Sequence, residues 1–563
     1  MMNSDYTLNE LRVVAAEMLA YAVGQLFPNV LFVGGGALSH GFYYDFIFEQ
    51  PLYSEMLNLI DVQLRSSAKE GLEIKPLSMM RENAVALLEH HEQPYLAEKA
   101  SQMPFNIISL LQINQKHFGI ASIQSITAST AVIAKLLEMK ERVIPTDRGE
   151  LMVTRLTGTA FSNPVDLKKF VKVYGAYLKK SDHRHLGEKL GLFVWTEGVV
   201  AKQPLWLPKG AELKRILRDW LRERDFKHHS FAQVESASLA PSSLFKYCPT
   251  KMELQSGAEA FSLSPSCIPY HIRMLKQAPC SVKPVRYFEY ERLFQHVDEA
   301  QAWGLLWGES YESDLLTVRC SKEQVLEEVI SSLQFIEQNI RIFGFKAQWY
   351  LVAAKQRTPK AKNEKSLLEY LKGAAKQYVF NYPLAAEMQE VESSWGPRLE
   401  LRLVDTIGRE WSGATVTLVP QNEVEDLILA RSVWGSLDRF IALLIEREEG
   451  ILPLWLAPEQ VRIVAHGQAS CYAASVMEIC QQQGLRITLD QRDERLAFKV
   501  QVADKEKIPY MLIIGEQEAK KQEVTVRSLK QPNKSVTLKL DKFLDQIQTG
   551  VSESRMLAFS DVP

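Results

Sequence analysis

Apolar residues recur at helical spacing over residues 8–27, where Leu8, Leu11, Val14, Ala15, Met18, Leu19, Ala22 and Leu26 share one face and Pro28 closes the run. Short strands are expected at 30–33 and 42–46, on either side of a glycine turn at 34–36. Residues 165–190 read as one basic helical connector, and residues 211–226, AELKRILRDWLRERDF, as a second amphipathic helix. A further apolar face runs through Val433, Leu437, Phe440, Ile441, Leu444 and Ile445. Gly435 and Ser436 are small enough there for the backbone to approach a ligand, with Arg439 a turn later; the bland alternative is a core helix with an Asp438–Arg439 pair. Gly450 ends that helix, Pro453 and Pro458 mark an exit, and a strand opens at Val461. From 455 to 555 strand and helix alternate, the order of a small α/β domain with a mostly parallel sheet.

A chain of 563 residues exceeds the roughly 250–300 that one core holds, so several domains are expected. The net charge of −2 leaves nucleic-acid binding to local basic patches. Six cysteines with no CxxC pair argue against a disulfide framework or a zinc ribbon. No apolar run reaches the roughly 18 residues of a membrane span. The start, MMNSDYTLNELR, lacks a basic and then apolar leader, so the cytoplasm is the expected compartment.

Several runs carry a family resemblance. AEMLAYAVGQLFP with GFYYDF, and later MVTRLTGTAF, resemble the start and end of an editing domain; ARSVWGSLDRF resembles motif 3 of the class II aminoacyl-tRNA synthetases. LPLWLAPEQVRI and LDQRDERLAFKVQVADKEKIPYMLIIG resemble the entry to, and the body of, the anticodon-binding domain of the threonyl-tRNA synthetase family. The resemblance implies an α+β multidomain chain. An editing-like α+β domain would cover 1–161, a helical linker 162–190, a class II-like antiparallel sheet domain 191–450 and an α/β anticodon-binding domain 451–563. Such a chain would be expected to lack the family's small ubiquitin-like domain before the editing-like one.

The chemical groups of that family are largely replaced. Its editing histidine pair falls at Glu17 and Tyr21, and its later Cys–His segment near 118–132, where only His117 is close by; His40, His90 and His91 read as surface histidines. The motif 1 proline is Ala237. Of three implied zinc ligands only Cys267 remains, with Thr317 and Ala430 at the histidine positions, and one thiolate does not hold zinc. Cys267 then reads as a lone buried thiol and no metal is expected. In motif 2 the arginine for the α-phosphate is Gln295, the acidic adenine contact is Val297 and the γ-phosphate arginine is Glu309. Tyr311, Arg439 and Ser436 would remain as a vestigial nucleotide site, too little to grip ATP as a cofactor.

The resemblance places anticodon-reading side chains at Arg492, Asp493, Glu494, Lys499 and Arg527, and phosphate contacts on the connector at Lys168 and Lys169, with Lys172, Lys179 and Lys180 behind them. The expectation is a catalytically degenerate homodimer that binds tRNA or a tRNA-like RNA, as a regulator or accessory subunit. Two alternatives stand beside it. One is an ATP-dependent ligase for another acid, which needs a replacement cation such as Arg286, Arg292 or Arg398 near Gln295 and Glu309. The other is a protein-interaction module that uses the class II dimer surface.

Overall fold

Leu11, Val14, Ala15, Met18, Leu19 and Ala22 are buried along α1 (Ser4–Leu26), so the first periodic run becomes the central helix of its domain. The structure, a computed structural model, describes residues 4–560 apart from 104, 122, 124–131, 147–148, 197–202, 247, 249, 258, 279–283, 298–300, 356–363, 393–394 and 421–425. The chain divides into two compact units, Met1–Ala176 and Tyr177–Pro563.

In the first unit β1 (Leu31–Leu38) and β2 (Gly41–Ile47) form a hairpin that turns at Ser39 and His40. This corrects the expected glycine turn. Gly34–Gly36 lie inside β1, beside a bulge, and a Cβ on Gly35 would strike the ring of Tyr44 and the carbonyl of Tyr43. The glycines answer to close packing and not to chain reversal. The unit continues through α2 (Met56–Lys69), β3 (Ile74–Met80), α3 (Arg81–His90), α4 (Pro94–Gln102), β4 (Ile107–Ile113) and β5 (His117–Ile120). A long hairpin of β6 (Ile133–Thr146) and β7 (Gly149–Phe161) then completes a sheet in the order β1-β2-β7-β6, while β3-β4-β5 form a smaller one. His40, expected at the surface, is buried and stacks on Tyr174.

The connector is two helices and not one, α5 (Pro164–Lys180) and α6 (His183–Lys189). Asp182 breaks it, because its carboxylate accepts the N–H of Arg184 and caps the second helix.

After α6 the second unit continues with a ribbon of β8 (Phe193–Val194) and β9 (Leu205–Trp206), then α7 (Pro208–His229) and β10 (Ala232–Gln233). Next come a small sheet of β11 (Leu239–Pro241), β12 (Met252–Ser256) and β13 (Glu259–Leu263), then α8 (Ile268–Gln277), β14 (Val285–Phe294), β15 (Ser310–Cys320) and α9 (Val325–Ile340). They are followed by β16 (Lys346–Lys355), α10 (Glu364–Gln377), β17 (Gln389–Glu392), β18 (Arg398–Val404), β19 (Glu410–Val419), β20 (Leu427–Ser432) and α11 (Leu437–Arg447). The main sheet runs β10-β14-β15-β20-β19-β18-β16-β17, antiparallel except at β10–β14 and β16–β17. Leu213, Leu217 and Trp220 of α7, Leu333 and Ile336 of α9 and Phe440 and Leu444 of α11 pack with Phe288, Leu316 and Leu401 from one face of that sheet. Val433, expected on the helical face, sits between β20 and α11.

The C-terminal part alternates as expected: β21 (Val461–Ala465), α12 (Ser470–Gln482), β22 (Ile487–Asp490), α13 (Leu496–Lys505), β23 (Tyr510–Ile514), α14 (Glu516–Lys521), β24 (Glu523–Ser528), β25 (Ser535–Lys539) and α15 (Leu540–Ser560). Its sheet runs β22-β21-β23-β24-β25, parallel over the first three strands and antiparallel thereafter. The whole is the α+β arrangement read from the sequence. Among the described residues no helix is long and apolar enough to cross a membrane.

Candidate functional site

Side chains alternate across a strand, so neighbours on β14 serve opposite faces. Phe288 enters the helical core, Tyr290 donates to the Arg218 carbonyl of α7, and Arg286 pairs with Glu328 of α9 at 2.5 Å. Arg292 belongs to the same side, 3.9 Å from Glu312, which Lys214 and Arg218 of α7 also approach. Glu289 and Glu291 point the other way, toward Cys267. Arg286 and Arg292, two of the candidates for a replacement cation, therefore belong to the helical face of β14. Arg398 alternates with the core residues Leu399 and Leu401 and donates to Glu400 at 2.9 Å.

The ends of β14 and β15 are drawn together by the chain's own groups. Gln295 N donates to Glu309 O at 2.8 Å and its side-chain amide to Gly308 O at 2.9 Å, and Val297 is buried. Beyond them Trp303 and Trp307 pair across a short turn. Leu305 N donates to His183 Nε2 at 3.0 Å, so Nδ1 carries the proton and donates to Glu446 Oε1 at 2.6 Å; Tyr177 donates to that same oxygen at 2.6 Å. Sequence reasoning missed this buried network, since His183 and Glu446 are 263 residues apart and neither falls in a motif.

Tyr311, Ser436 and Arg439 do come to one end of the sheet, but their polar groups serve the fold. Arg439 Nε donates to Leu306 O at 2.8 Å and Nη1 to Ser412 O at 2.7 Å, while its guanidinium lies over Trp307. Burial lowers its pKa. Ser436 Oγ accepts the Arg439 N–H and caps α11. Gly435 before it has φ +65°, and a Cβ there would strike the Gly413 carbonyl. Burial pushes the Tyr311 phenol up to about 12. The Asp438–Arg439 pair does not form, because Asp438 takes Lys214 at 3.0 Å and the Glu312 N–H at 2.7 Å.

Thr317 and Ala430 face each other on β15 and β20 with a hydroxyl and a methyl, so the implied set of one thiolate and two histidines does not fit zinc here. Yet Cys267 is not a lone thiol. Its Sγ and one carboxylate oxygen each of Glu289 and Glu291 lie within 4.8 Å of one another, all three residues buried. Cys267 N donates to Glu291 Oε2 at 3.0 Å, and His271 Nδ1 is 2.7 Å from Thr317 Oγ1. Burial, with Glu291 beside it, pushes the thiol up, and burial carries Glu291 to about 8. Burial also acts on Glu289, but His271 outweighs it and holds that carboxylate below its usual range. The sequence held a signal for this cluster in the spacings 267/271 on a helix and 289/291 on a strand.

In the first unit Glu17 Oε2 lies 2.7 Å from His117 Nε2, both buried. The Tyr21 hydroxyl accepts from Gln25 at 2.7 Å and Asn114 at 3.1 Å. A Cβ on Gly119 would strike the Glu17 carboxylate, so this pair is packed tightly. Most of the segment 118–132 lies outside the described residues.

On the C-terminal domain Arg492 is half-exposed, paired to Asp490 at 2.5 Å, beside a groove lined by Arg462, Thr488, Gln491 and Val502. The hydrogen bond from Arg492 holds Asp490 below the usual carboxylate range. Asp493 and Glu494 are exposed next to it. Lys499 corrects the expectation of a polar RNA-facing position: it is buried, with Nζ donating to Ala465 O at 3.0 Å and Asp490 O at 3.2 Å. Arg527 is held by both oxygens of Asp504 at 2.7 and 2.9 Å. Lys168 and Lys169 are exposed on α5, as are Lys172, Lys179 and Lys180.

Residues 460–550 match the family described as "Anticodon binding domain". Over 554 residues the chain is 28% identical to a protein named threonine–tRNA ligase from Lawsonia intracellularis, covering 93% of this chain and 85% of that one. A protein of the same name from Polaromonas naphthalenivorans is 27% identical over 586 residues, covering 97% and 89%. Among solved structures, the RNA binding domain of threonyl-tRNA synthetase from Cryptosporidium parvum Iowa II superposes with a TM-score of 0.60 at 24% identity, over 65% of this chain and 98% of that one. Prolyl-tRNA synthetase from Cryptosporidium parvum, complexed with L-proline and AMP, gives 0.52 at 12% identity, over 67% and 76%. At these identities the structural likeness speaks for the fold.

Proposed function

Since the chain belongs to the threonyl-tRNA synthetase family, we propose that it binds tRNA, or an RNA shaped like tRNA, without activating threonine, as a cytoplasmic homodimer acting as regulator or accessory subunit. One observation carries the reading. At the mouth of β14 and β15 the positions implied for phosphate arginines are Gln295 and Glu309, and the Gln295 amide is bonded to Gly308 O. A guanidinium about 5 Å from a phosphate oxygen contributes about 3 kcal/mol per unit charge at an effective dielectric near 20, and a carboxylate in its place reverses the sign. Losing several kcal/mol from the transition state of adenylate formation lowers the rate by roughly a thousandfold or more. A stacked adenine on Tyr311 does not restore that.

The ligase alternative loses support from the sheet geometry, since Arg286 and Arg292 sit on the helical face and Arg398 on Glu400. Pyrophosphate exchange into ATP separates the readings. The expected result is no exchange above background with threonine or with any other amino acid. Exchange driven by threonine overturns the proposal, and exchange driven by a different acid transfers it to the ligase.

A further inference from the structure

A neutral histidine offers one ring donor and one ring acceptor, and protonation turns the acceptor into a second donor. His183 is fully buried with both nitrogens engaged in this way. Nε2 accepts the Leu305 N–H at 3.0 Å and Nδ1 donates to Glu446 Oε1 at 2.6 Å. Leu305 belongs to the turn 303–307 beyond the ends of β14 and β15, and two further contacts seat that turn on α6. Gly304 has φ +56°, and a Cβ there would strike His183 Nε2 and the Arg184 side chain. The Arg184 guanidinium lies 4.0 Å from the centre of the Trp303 ring. From the other side Arg439 donates to Leu306 O.

The charges around the imidazole set its two protonation states against each other. Glu446 of α11 faces it directly, and Glu446 Oε2 is buried without a hydrogen-bond partner. Asp182 of α6 comes within 3.8 Å of Nδ1, but both of its oxygens already accept from Arg184. Tyr177 of α5 donates to Glu446 Oε1, and Arg409, ahead of β19, reaches the Tyr177 hydroxyl at 3.3 Å while pairing with Asp405 at 2.5 Å. An imidazolium would gain an ion pair with Glu446, yet its Nε2–H would then point at the Leu305 N–H. Pairing with Glu446 and holding the turn therefore favour opposite protonation states.

We propose that His183 is a proton-operated catch on the turn 303–307. The neutral imidazole holds the turn closed, and the imidazolium, paired with Glu446, releases it. Opening thus takes up a proton, so the hold is complete where the imidazole is neutral and is lost as pH falls through its titration. Leu305 and Leu306 are buried in the core of the sheet domain, which keeps the open form a minor state at either pH. Amide exchange through that minor state is then the fitting readout. The catch stands apart from the RNA-binding reading, because it concerns proton uptake by the protein alone.

The test is hydrogen exchange by mass spectrometry on the full-length protein at about pH 7.5 and about pH 5.5, on either side of an ordinary imidazole titration. Each rate is divided by that of the unstructured peptide at the same pH. The expected result is that protection of the segment 302–308 falls about tenfold or more on acidification, while that of β21 changes by less than about twofold. His183→Gln keeps an acceptor for the Leu305 N–H and does not titrate, so its protection should be the same at both values. Glu446→Gln removes the partner of the imidazolium, so the loss should move to lower pH. If His183→Gln does not fold, the wild-type ratio and Glu446→Gln decide. Equal protection of 302–308 at both values in the wild-type protein overturns the proposal. So does a fall that β21 shares in full, or one that persists unchanged in either variant.

Discussion

Lys499 carries its charge into the interior because two strand ends meet it there, Ala465 O at 3.0 Å and Asp490 O at 3.2 Å. Removing the ammonium would take a hydrogen-bond donor from both carbonyls, at a cost of about 1–3 kcal/mol. Lys499→Met should therefore lower the midpoint of urea unfolding without changing the ratio of affinities among tRNAs. Arg492→Ala should do the reverse. Its guanidinium is half-exposed, so stability should change by no more than about 1 kcal/mol, while the gap between the preferred tRNA and the others narrows. A Lys499→Met protein of unchanged stability and reduced discrimination would place that lysine back on the RNA face. Residue identities at motif positions were readable in the chain, but their partners were not. Arg439 was legible as an arginine one turn into a helix; that its donors would meet the carbonyls of Leu306 and Ser412 depends on contacts 133 and 27 residues away.

Elements were legible where one signal dominated. The apolar stripes of α1, α7 and α11 predicted helices because burial of that face decides the matter. The glycine run in β1 misled because glycine serves both reversal and close packing, and the Tyr44 ring and Tyr43 carbonyl that demand it at Gly35 come from the next strand. The break between α5 and α6 was readable in principle, as Ser181 and Asp182 are cap-forming residues inside a basic run. Strand faces were the deeper loss. Arg286 and Arg292 were candidates for a replacement cation near Gln295 and Glu309 until pairing with Glu328 and Glu312 put them on the helical side. On α5 the exposed lysines support a prediction that needs only their charge. Exchanging Lys168, Lys169, Lys172, Lys179 and Lys180 for glutamine should weaken binding to every tRNA alike and reduce the slope of log K against log salt by up to about 4. A loss confined to one tRNA would show instead that the helix reads bases.

Across the chain as a whole, the first three strands of the C-terminal domain were legible because parallel strands with helical crossovers leave few alternatives, whereas antiparallel β24 and β25 depart from the mostly parallel sheet expected. That domain is tied to the sheet domain by charge as well as by chain. Lys209, in the first turn of α7, bridges Glu459 at 2.7 Å and Glu506 at 2.5 Å, and Arg462 pairs with the same two carboxylates. Arg462 and Glu506 also line the groove beside Arg492, so groove and sheet domain share one set of ions. On the proposed function, the scaffold recognises RNA without activating threonine. Titration of the intact protein with a panel of labelled tRNAs, at low and at physiological salt, tests it most directly. The expected result is a preferred tRNA bound about tenfold or more tightly than the rest at both salts, with affinity for all of them falling as salt rises. Weak binding at low salt with no preference among tRNAs would contradict it, and would leave the protein-interaction reading in its place.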